Sequence, residues 1–202
     1  MSHDRVPAIA VVGGAHVAGH GDARGLGWVG RVALRTLPAL PAARFYPLGV
    51  PGEDSAGLGA RCMPEASLRF GPDTEDHLVL APGIADTESG LSTARSRLNL
   101  ANVLDAALSA EVKTFVVGPP PTGDAALDSR VADLSASFAD VALRRGITYV
   151  DTFTPLHEHE VWRAEITRSG TGLPGQEGYG LLAWLVLHRG WFDWLGITDP
   201  EA

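Results

Sequence analysis

Histidines and a carboxylate in glycine-rich segments are the side chains of this sequence best suited to acid–base chemistry. His16 and His20 flank a loop that begins at Gly14, and an imidazole can give or accept a proton near neutral pH. Asp86 follows the segment Ala81–Gly83 and could remove a proton from a substrate. Both residue types also hydrogen-bond to loop backbone without a catalytic role, and this structural interpretation is preferred for the two histidines as well as for Asp86. His16, His20 and Asp86 are the candidate catalytic residues.

Two further polar clusters have weaker chemical interpretations. Glu53, Asp54 and Ser55 follow a glycine at a predicted helix start, where acidic and hydroxyl side chains cap the first turn. Ser55 would need a neighbouring base to act as a nucleophile, and the sequence shows none. In the segment His157–Glu160, two histidines alternate with two glutamates, and a strand would place both imidazoles on one face to chelate a metal. No third ligand is identified, so a solvated acidic loop and no metal site are expected.

The glycine-rich loop from Gly13 to Gly21 resembles a nucleotide-binding loop only superficially. It lacks the G-x-G-x-x-G spacing that lets a backbone approach a dinucleotide pyrophosphate. The sequence therefore predicts no dinucleotide and, since no metal cluster is identified, no bound cofactor.

Apolar segments of two kinds alternate along the chain and must position these residues. Five short apolar runs, most of them bounded by glycine or proline, predict buried strands. Longer segments with apolar residues at helical spacing predict helices. The predicted strands are Ala8–Val12, Arg44–Val50, His77–Leu80, Lys113–Val117 and Ile147–Val150, and the predicted helices are Trp28–Leu37, Leu91–Leu108, Val131–Leu143 and Gly178–Leu195.

Strands separated by helices are typical of βαβ units, which build a parallel sheet. Because such crossovers are right-handed, helices cover both faces, and the predicted fold class is α/β: a three-layer α/β/α sandwich with a five-stranded parallel sheet. Ligands bind at the carboxyl ends of the strands in such sheets. Three glycine-rich loops leave those ends, within residues 13–21, 49–59 and 82–83, and locate the predicted site. Residues 1–202 are predicted to form a single domain.

Composition and charge exclude several classes of partner. The 202 residues carry a formal net charge of −8, so a nucleic acid or an anionic membrane surface is an unfavourable partner. No stretch approaches the roughly 18 apolar residues of a membrane span, and the N-terminus shows no signal-peptide pattern. A cytoplasmic protein that binds a small molecule is therefore expected. Trp184, Trp191 and Trp194 either pack in the core or contact another protein, which leaves a homo-oligomer as an alternative.

Five segments carry family-like patterns in a fixed order. VVGGAHVAGHGDARGLGWVGRV resembles a G-D-S-x-x-x-G opening with a following G-x-G-W segment, and LGVPGEDSAGLGAR is similar to an N-x-G-V-x-G block. APGIADTESG resembles G-x-N-D, KTFVVGPPP resembles a fourth strand with its proline run, and SGTGLPGQEGY resembles a D-G-x-H-P block followed by G-Y. Together these segments resemble the SGNH (GDSL-type) hydrolase family over nearly the whole chain. The resemblance implies that family's flavodoxin-like fold.

The resemblance also implies a set of catalytic positions, and this chain departs from the family at each of them. The family transfers acyl groups with a serine nucleophile, a histidine base and an aspartate that orients the base, while an asparagine helps to hold the oxyanion. Here Ala15 is at the serine position and Ala85 at the asparagine position. Gly170, or Ser169 after a one-residue shift, is at the aspartate position, and Leu173 is at the histidine position. Alanine has no nucleophilic oxygen and leucine cannot transfer a proton, so the resemblance implies a degenerate member.

Backbone groups of the implied site do not depend on these side chains. The resemblance implies that the oxyanion glycine is retained as Gly52, and the amides of Ala15 and Gly52 could still bind a carbonyl or carboxylate. The predicted pocket residues are Gly14, Ala15, His16, Gly52, Ala85, Asp86 and Leu173.

Two functions of different classes follow, with a third as a weaker alternative. The first is a non-hydrolytic binder of a small acyl-like or anionic ligand, or a pseudoenzyme. The second is an isomerase, lyase or cyclase that reuses the pocket with His16, His20 or Asp86. The third is an esterase with relocated catalytic residues.

Overall fold

Five parallel strands form the sheet that runs through the centre of the molecule. The structure is a computed structural model that describes residues 5–200, so residues 1–4, where the segment considered for a signal peptide begins, and residues 201–202 lie outside it. The strands are β1 (Val6–Gly13), β2 (Arg44–Gly49), β3 (Thr74–Ala81), β4 (Lys113–Val117) and β5 (Thr148–Val150), in the order β2-β1-β3-β4-β5. The predicted α/β fold class with a five-stranded parallel sheet is confirmed.

Helices connect the strands and follow the last one. No helix within residues 5–200 combines the length and hydropathy that a membrane crossing needs. The α-helices are α1 (Ala15–Ala18), α2 (Gly27–Thr36), α3 (Ser55–Ser67), α4 (Ala85–Glu88), α5 (Thr93–Ser109), α6 (Ala125–Leu143), α7 (Phe153–His157), α8 (Glu160–Ser169), α9 (Gln176–Val186) and α10 (Phe192–Leu195).

The strands supply a separate hydrophobic core to each face of the sheet, because successive side chains of a strand point to opposite faces. In β1, Ile9 and Val11 belong to a cluster with residues of α2, α8 and α9. The alternate residues Ala10 and Val12 belong to a cluster with residues of α3, α5 and α6. Helices therefore cover both faces of the sheet, as the right-handed crossovers predict.

Side-chain caps fix where several helices begin. Asp54 accepts hydrogen bonds from two amides at the start of α3, and Asp124 does the same for α6. Ser92 accepts a hydrogen bond from the Arg95 amide, so α5 begins at Thr93 rather than at the predicted Leu91. Satisfying these otherwise unpaired amides stabilises the start of each helix.

The predicted helix Gly178–Leu195 is wrong in its continuity. α9 ends at Val186 and is followed by a kinked segment, Leu187–Trp191, in which Arg189 and Gly190 have non-helical backbone angles, before α10 begins. Gly190 in this segment has φ +95, a left-handed conformation that residues with a side chain rarely adopt. The apolar spacing alone does not reveal the break, because the residues on both sides of it remain buried.

Trp191 provides a test of how much this C-terminal segment stabilises the fold. Its side chain is fully buried, and its indole Nε1 donates a hydrogen bond of 2.9 Å to Thr36 Oγ1 in α2. Trp191→Phe removes this bond and leaves a void, so we expect a loss of about 2 kcal/mol in the free energy of unfolding. The measurement is urea denaturation followed by circular dichroism.

Trp184 is the matched control, because its side chain is 54% exposed on α9. Trp184→Phe should change the free energy of unfolding by no more than about 0.5 kcal/mol. Equal losses in the two variants would contradict the assignment of Trp191 to the core.

Candidate functional site

A cavity of about 350 Å³ lies at the carboxyl edge of the sheet. Its walls come from within five segments, residues 14–16, 52–53, 83–88, 122–127 and 171–173. Four of these segments follow β1, β2, β3 and β4, and the fifth joins α8 to α9. The loops that the sequence identifies therefore meet at one cavity, the usual position of a ligand in an open parallel sheet.

Close backbone packing brings the strand ends together beneath this cavity. In the register of the sheet, Gly13 is the partner of both Gly49 and Ala81. A Cβ atom on Gly13 would lie 2.1 Å from the Ala81 carbonyl oxygen, and one on Gly49 would lie 2.4 Å from the Ala18 amide nitrogen. Only glycine permits these approaches, so the two glycines serve the geometry of the site.

The cavity brings together six of the predicted pocket residues, namely Gly14, Ala15, His16, Gly52, Ala85 and Leu173. Asp86 is not among the residues that line it. The buried Asp86 carboxylate accepts a hydrogen bond of 2.6 Å from the Ser55 amide, which links the loops after β2 and β3. His20 is also absent from the lining; it is exposed, and its carbonyl oxygen accepts a hydrogen bond from the Tyr179 hydroxyl. Gly170 ends α8 in a left-handed conformation, just before the lining segment 171–173.

Arg61 of α3 holds the loop that contains Gly52. Its guanidinium forms two hydrogen bonds with the Glu53 carboxylate, of 2.6 Å and 2.7 Å, and also pairs with Glu65. It further donates to the carbonyl oxygens of Gly13 and Leu48. Burial opposes the charge, but the bonds to the two glutamates outweigh it and raise the pKa of Arg61.

Asp22 organises the loop between α1 and α2. Its carboxylate accepts hydrogen bonds from the amides of Arg24 and Gly27 and pairs with the Arg31 guanidinium. Burial alone would raise the pKa of Asp22, but these hydrogen bonds outweigh that effect and lower it. The sequence gives little indication of this role, because an aspartate in a glycine-rich loop has many possible partners.

His16 is the single imidazole among the described residues that line the cavity. Its ring stacks on Trp162 with centroids 6.3 Å apart and meets Tyr179 edge-on at 6.4 Å. Its Nε2 atom is buried without a hydrogen-bond partner in the described residues. Burial lowers the pKa of His16 to about 4, so the imidazole is neutral at neutral pH. The structural interpretation, in which the ring bonds to nearby backbone, is not what the structure shows.

The hydroxyl groups of the lining are both held by other side chains. Thr122 Oγ1 donates a hydrogen bond of 2.8 Å to the buried Asp128 carboxylate. Thr171 Oγ1 bonds Ser169 Oγ at 3.3 Å. Neither threonine bonds to His16, so the lining residues do not form the hydroxyl–imidazole pair on which acyl transfer by a hydroxyl nucleophile depends.

Two other nucleophile types are buried away from this arrangement. Ser55 Oγ accepts a hydrogen bond of 2.9 Å from Asn99 Nδ2. Burial raises the pKa of the Cys62 thiol to about 12, so the reactive thiolate does not form near neutral pH.

The segment His157–Glu160 does not form the strand that would align its histidines. His157 ends α7, and Glu160 begins α8. His157 Nδ1 lies 3.5 Å from Asp128 Oδ2, longer than a hydrogen bond. Within residues 5–200, no group of three histidine, cysteine, aspartate or glutamate side chains is placed to hold a metal ion.

Three acidic residues line the cavity, and none of them is among the pocket residues predicted from the sequence. They are Glu53, Glu88 and Asp124. Glu53 and Asp124 lie at the starts of α3 and α6, where a capping role is the simplest interpretation of their position. Glu88, near the end of the short helix α4, is exposed. Exposed carboxylates have no distinctive sequence pattern, so only the folded arrangement indicates that they share one cavity.

Several solved structures with the same fold are described as lipases, acylhydrolases or esterases. A lipase/acylhydrolase from Enterococcus faecalis is 18% identical, with a TM-score of 0.77 over 98% of this chain and 100% of that one. Axe2, an acetylxylan esterase from Geobacillus stearothermophilus, is 16% identical, with a TM-score of 0.72 over 98% and 100% of the two chains. A member of the lipolytic G-D-S-L family from Veillonella parvula is 20% identical, with a TM-score of 0.70 over 90% and 97%. At these identities the likeness shows the fold alone.

Comparison at the level of sequence families is more specific. No curated protein matches the chain. A sequence model described as the GDSL-like Lipase/Acylhydrolase family matches residues 11–181, which include all the segments that meet at the cavity. On that match, the chain belongs to the GDSL-like lipase/acylhydrolase family.

Proposed function

We propose that this protein is a non-hydrolytic member of its family that binds a small acyl compound in the cavity at the carboxyl edge of the sheet. One observation carries the proposal: Ala15, a residue without a nucleophilic atom, lines the cavity at the first position of α1. The two lining hydroxyls do not bond to His16, the imidazole of the lining. Hydrolysis through an acyl-enzyme needs such a pair within hydrogen-bond reach.

The family positions support the same conclusion. By resemblance, Ala15, Ala85, Gly170 and Leu173 replace the serine, asparagine, aspartate and histidine of the hydrolytic mechanism. These groups act as a unit, and losing one of them typically lowers the rate by several powers of ten. Substitution at all four positions is more consistent with a changed function than with a slow esterase.

The backbone of the site is suited to bind a carbonyl oxygen. Ala15 and Gly52 both line the cavity, and neither amide has a hydrogen-bond acceptor within residues 5–200. Of the two ligand types that the sequence suggests, a neutral acyl compound fits better than an anion. Three acidic residues line the cavity; Glu53 is paired with Arg61, and the described lining residues include neither lysine nor arginine to offset Glu88 and Asp124.

We also propose that the protein is a single domain and cytoplasmic. Its partner is a small molecule rather than a nucleic acid or a membrane, since a net charge of −8 is repelled by nucleic acid and by an anionic membrane surface. Of the tryptophans considered for a homo-oligomer interface, Trp184 is exposed and Trp191 is buried.

Ester hydrolysis is the most direct test. We expect the purified protein to hydrolyse p-nitrophenyl acetate and p-nitrophenyl butyrate no faster than its own Ala15→Gly variant, because neither carries a nucleophile at that position. A turnover of either ester that a substitution at Thr122 or His16 abolishes would contradict the proposal and favour relocated catalytic residues.

The combined variant Ala15→Ser, Ala85→Asn, Gly170→Asp and Leu173→His is the positive control. If the backbone retains the geometry of a hydrolase, this variant should gain measurable esterase activity. The triple variant that retains Ala15 should remain inactive, because catalysis through an acyl-enzyme needs the nucleophile.

Ligand binding can be tested by blocking the cavity. N-Butylacetamide supplies a neutral acyl group, and its binding can be followed by NMR chemical-shift changes. Ala15→Phe should weaken this binding at least about tenfold, because the added ring fills space that the ligand would occupy. Ala106→Phe, at an exposed position of α5, is the matched control and should leave binding unchanged. Equal binding by the two variants would place the ligand elsewhere.

A second candidate function rests on His16. His16 lines the cavity, and its imidazole could exchange a proton with a bound carbonyl compound, as an isomerase, lyase or cyclase requires. Of the acid–base candidates from the sequence, His16 is the one that lines the cavity. Catalysis would then depend on the neutral imidazole, so activity would persist in mildly acidic solution.

The protonation state of His16 can be tested through stability. The pKa of His16 is about 4 in the folded protein and near 6.5 in the unfolded chain, so between these values the unfolded state binds the extra proton. This residue therefore lowers the free energy of unfolding as the pH falls from 6.5 to 4, by up to about 3 kcal/mol. His16→Phe should remove that part of the pH dependence in urea titrations, and His20→Phe, an exposed imidazole in the same loop, is the control. An unchanged pH profile in His16→Phe would contradict a buried neutral imidazole.

A further inference from the structure

We propose that the acyl compound carries a positively charged amine at the end remote from its carbonyl group. This inference rests on the proposed function, since it concerns the ligand of the same cavity. The carbonyl end would lie at the amides of Ala15 and Gly52, and the ammonium group at the carboxylates of Glu88 and Asp124.

The charges of the cavity wall are the first reason. Glu53, Glu88 and Asp124 line the cavity, and no lysine or arginine is found among the described lining residues. A cavity lined by one sign of charge concentrates ligands of the opposite sign. The chain as a whole carries a net charge of −8, which adds to the attraction for a cation.

The three carboxylates differ in how far their charge is already balanced. Glu53 is neutralised by Arg61, which binds both of its carboxylate oxygens. Glu88 is exposed at the end of α4, and it has no ion pair within the described residues. Asp124 accepts only from the backbone amides of Ala126 and Leu127, and both bonds use Oδ1. Glu88 and Asp124 are therefore the carboxylates that can bind a ligand cation.

Two helix N-termini that could attract an anion are already capped by carboxylates of the protein itself. The starts of α3 and α6 lie at the cavity, and a helix N-terminus attracts negative charge. The Asp54 carboxylate accepts hydrogen bonds from two amides in the first turn of α3, and the Asp124 carboxylate accepts them from two amides in the first turn of α6. An anionic ligand would have to displace these caps, whereas a cation would not.

His16 does not offset the negative charge of the cavity wall. It is the one imidazole among the described lining residues; its ring stacks on Trp162, and its Nε2 is buried without a hydrogen-bond partner in the described residues. Because burial lowers the pKa of His16 to about 4, the ring adds no positive charge to the cavity near neutral pH. The neutral ring can still form a hydrogen bond with the amide or ester group of a ligand.

Three probes that share an acetamide group and differ in terminal charge test this inference. They are N-acetylputrescine, which is cationic, N-butylacetamide, which is neutral, and 4-acetamidobutanoate, which is anionic. We expect N-acetylputrescine to bind about fivefold or more tightly than N-butylacetamide at low salt, and 4-acetamidobutanoate to bind most weakly. Isothermal titration calorimetry or NMR gives the dissociation constants, and about 0.5 M NaCl should reduce the preference.

Substitutions that remove one charge identify the carboxylates responsible. Glu88→Gln and Asp124→Asn should each reduce the preference for N-acetylputrescine over N-butylacetamide by about twofold or more, and asparagine preserves the helix cap at residue 124. Glu111→Gln removes an exposed carboxylate after α5, at the opposite edge of the sheet, and should leave the preference unchanged.

The possible outcomes separate this inference from the proposed function. Equal binding of the three probes, or tightest binding of 4-acetamidobutanoate, would overturn the preference for a cation and leave acyl binding intact. Binding of N-acetylputrescine that Glu88→Gln and Asp124→Asn do not weaken would overturn the assignment of the two carboxylates. If none of the probes binds, both proposals fail.

Discussion

The Arg61 guanidinium is the interaction on which the arrangement of the site most depends. One side chain binds two carbonyl oxygens, at Gly13 and Leu48, and both oxygens of the Glu53 carboxylate. It thereby ties the ends of β1 and β2 to the loop that carries Gly52. A guanidinium suits this position because its planar set of donors can satisfy several acceptors at fixed angles. Without it, the largely buried Glu53 carboxylate would lose its partner, and the carbonyl oxygens of Gly13 and Leu48 would each lose a hydrogen bond beneath the cavity.

Much of the fold could be predicted because its signals are local. β1 was predicted from a run of buried apolar residues, and its alternate residues do supply the two cores. The apolar spacing does not indicate the break at Gly190, because buried residues continue on both sides of it; the glycine itself, with its left-handed conformation, is the local signal. α8 was missed for a similar reason: Trp162 and Ile166 are its only buried residues, so its apolar pattern is weak.

The site could be predicted in its backbone and less well in its side chains. The glycine-rich loops indicated which strand ends meet, because glycine is required where chains approach closely. Glu88 and Asp124 gave no comparable signal, since nothing in the sequence distinguishes a carboxylate that faces a cavity from one that faces open solvent. The protonation state of His16 could not be predicted for a different reason. Its burial and its contacts with Trp162 and Tyr179 arise from segments far apart in the chain, and these contacts determine its protonation state.

Under the proposed function, the fold retains a binding site while its chemistry changes, and backbone and side chains contribute differently to that change. Backbone amides at Ala15 and Gly52 are set by the conformation of the chain, so substitution of neighbouring side chains need not remove them. The polar groups of the wall, by contrast, change with single substitutions. In this protein the cations and helix starts near the cavity are bound to the chain's own carboxylates, as Arg61 is to Glu53 and α6 is to Asp124. The positive features thus serve to stabilise the site, and in our proposal Glu88, which forms no ion pair within the described residues, interacts with the ligand. Ligand selection at Glu88 can therefore change without loss of a helix cap or an ion pair, whereas at Asp124, which also caps α6, a change must keep a residue that can cap the helix.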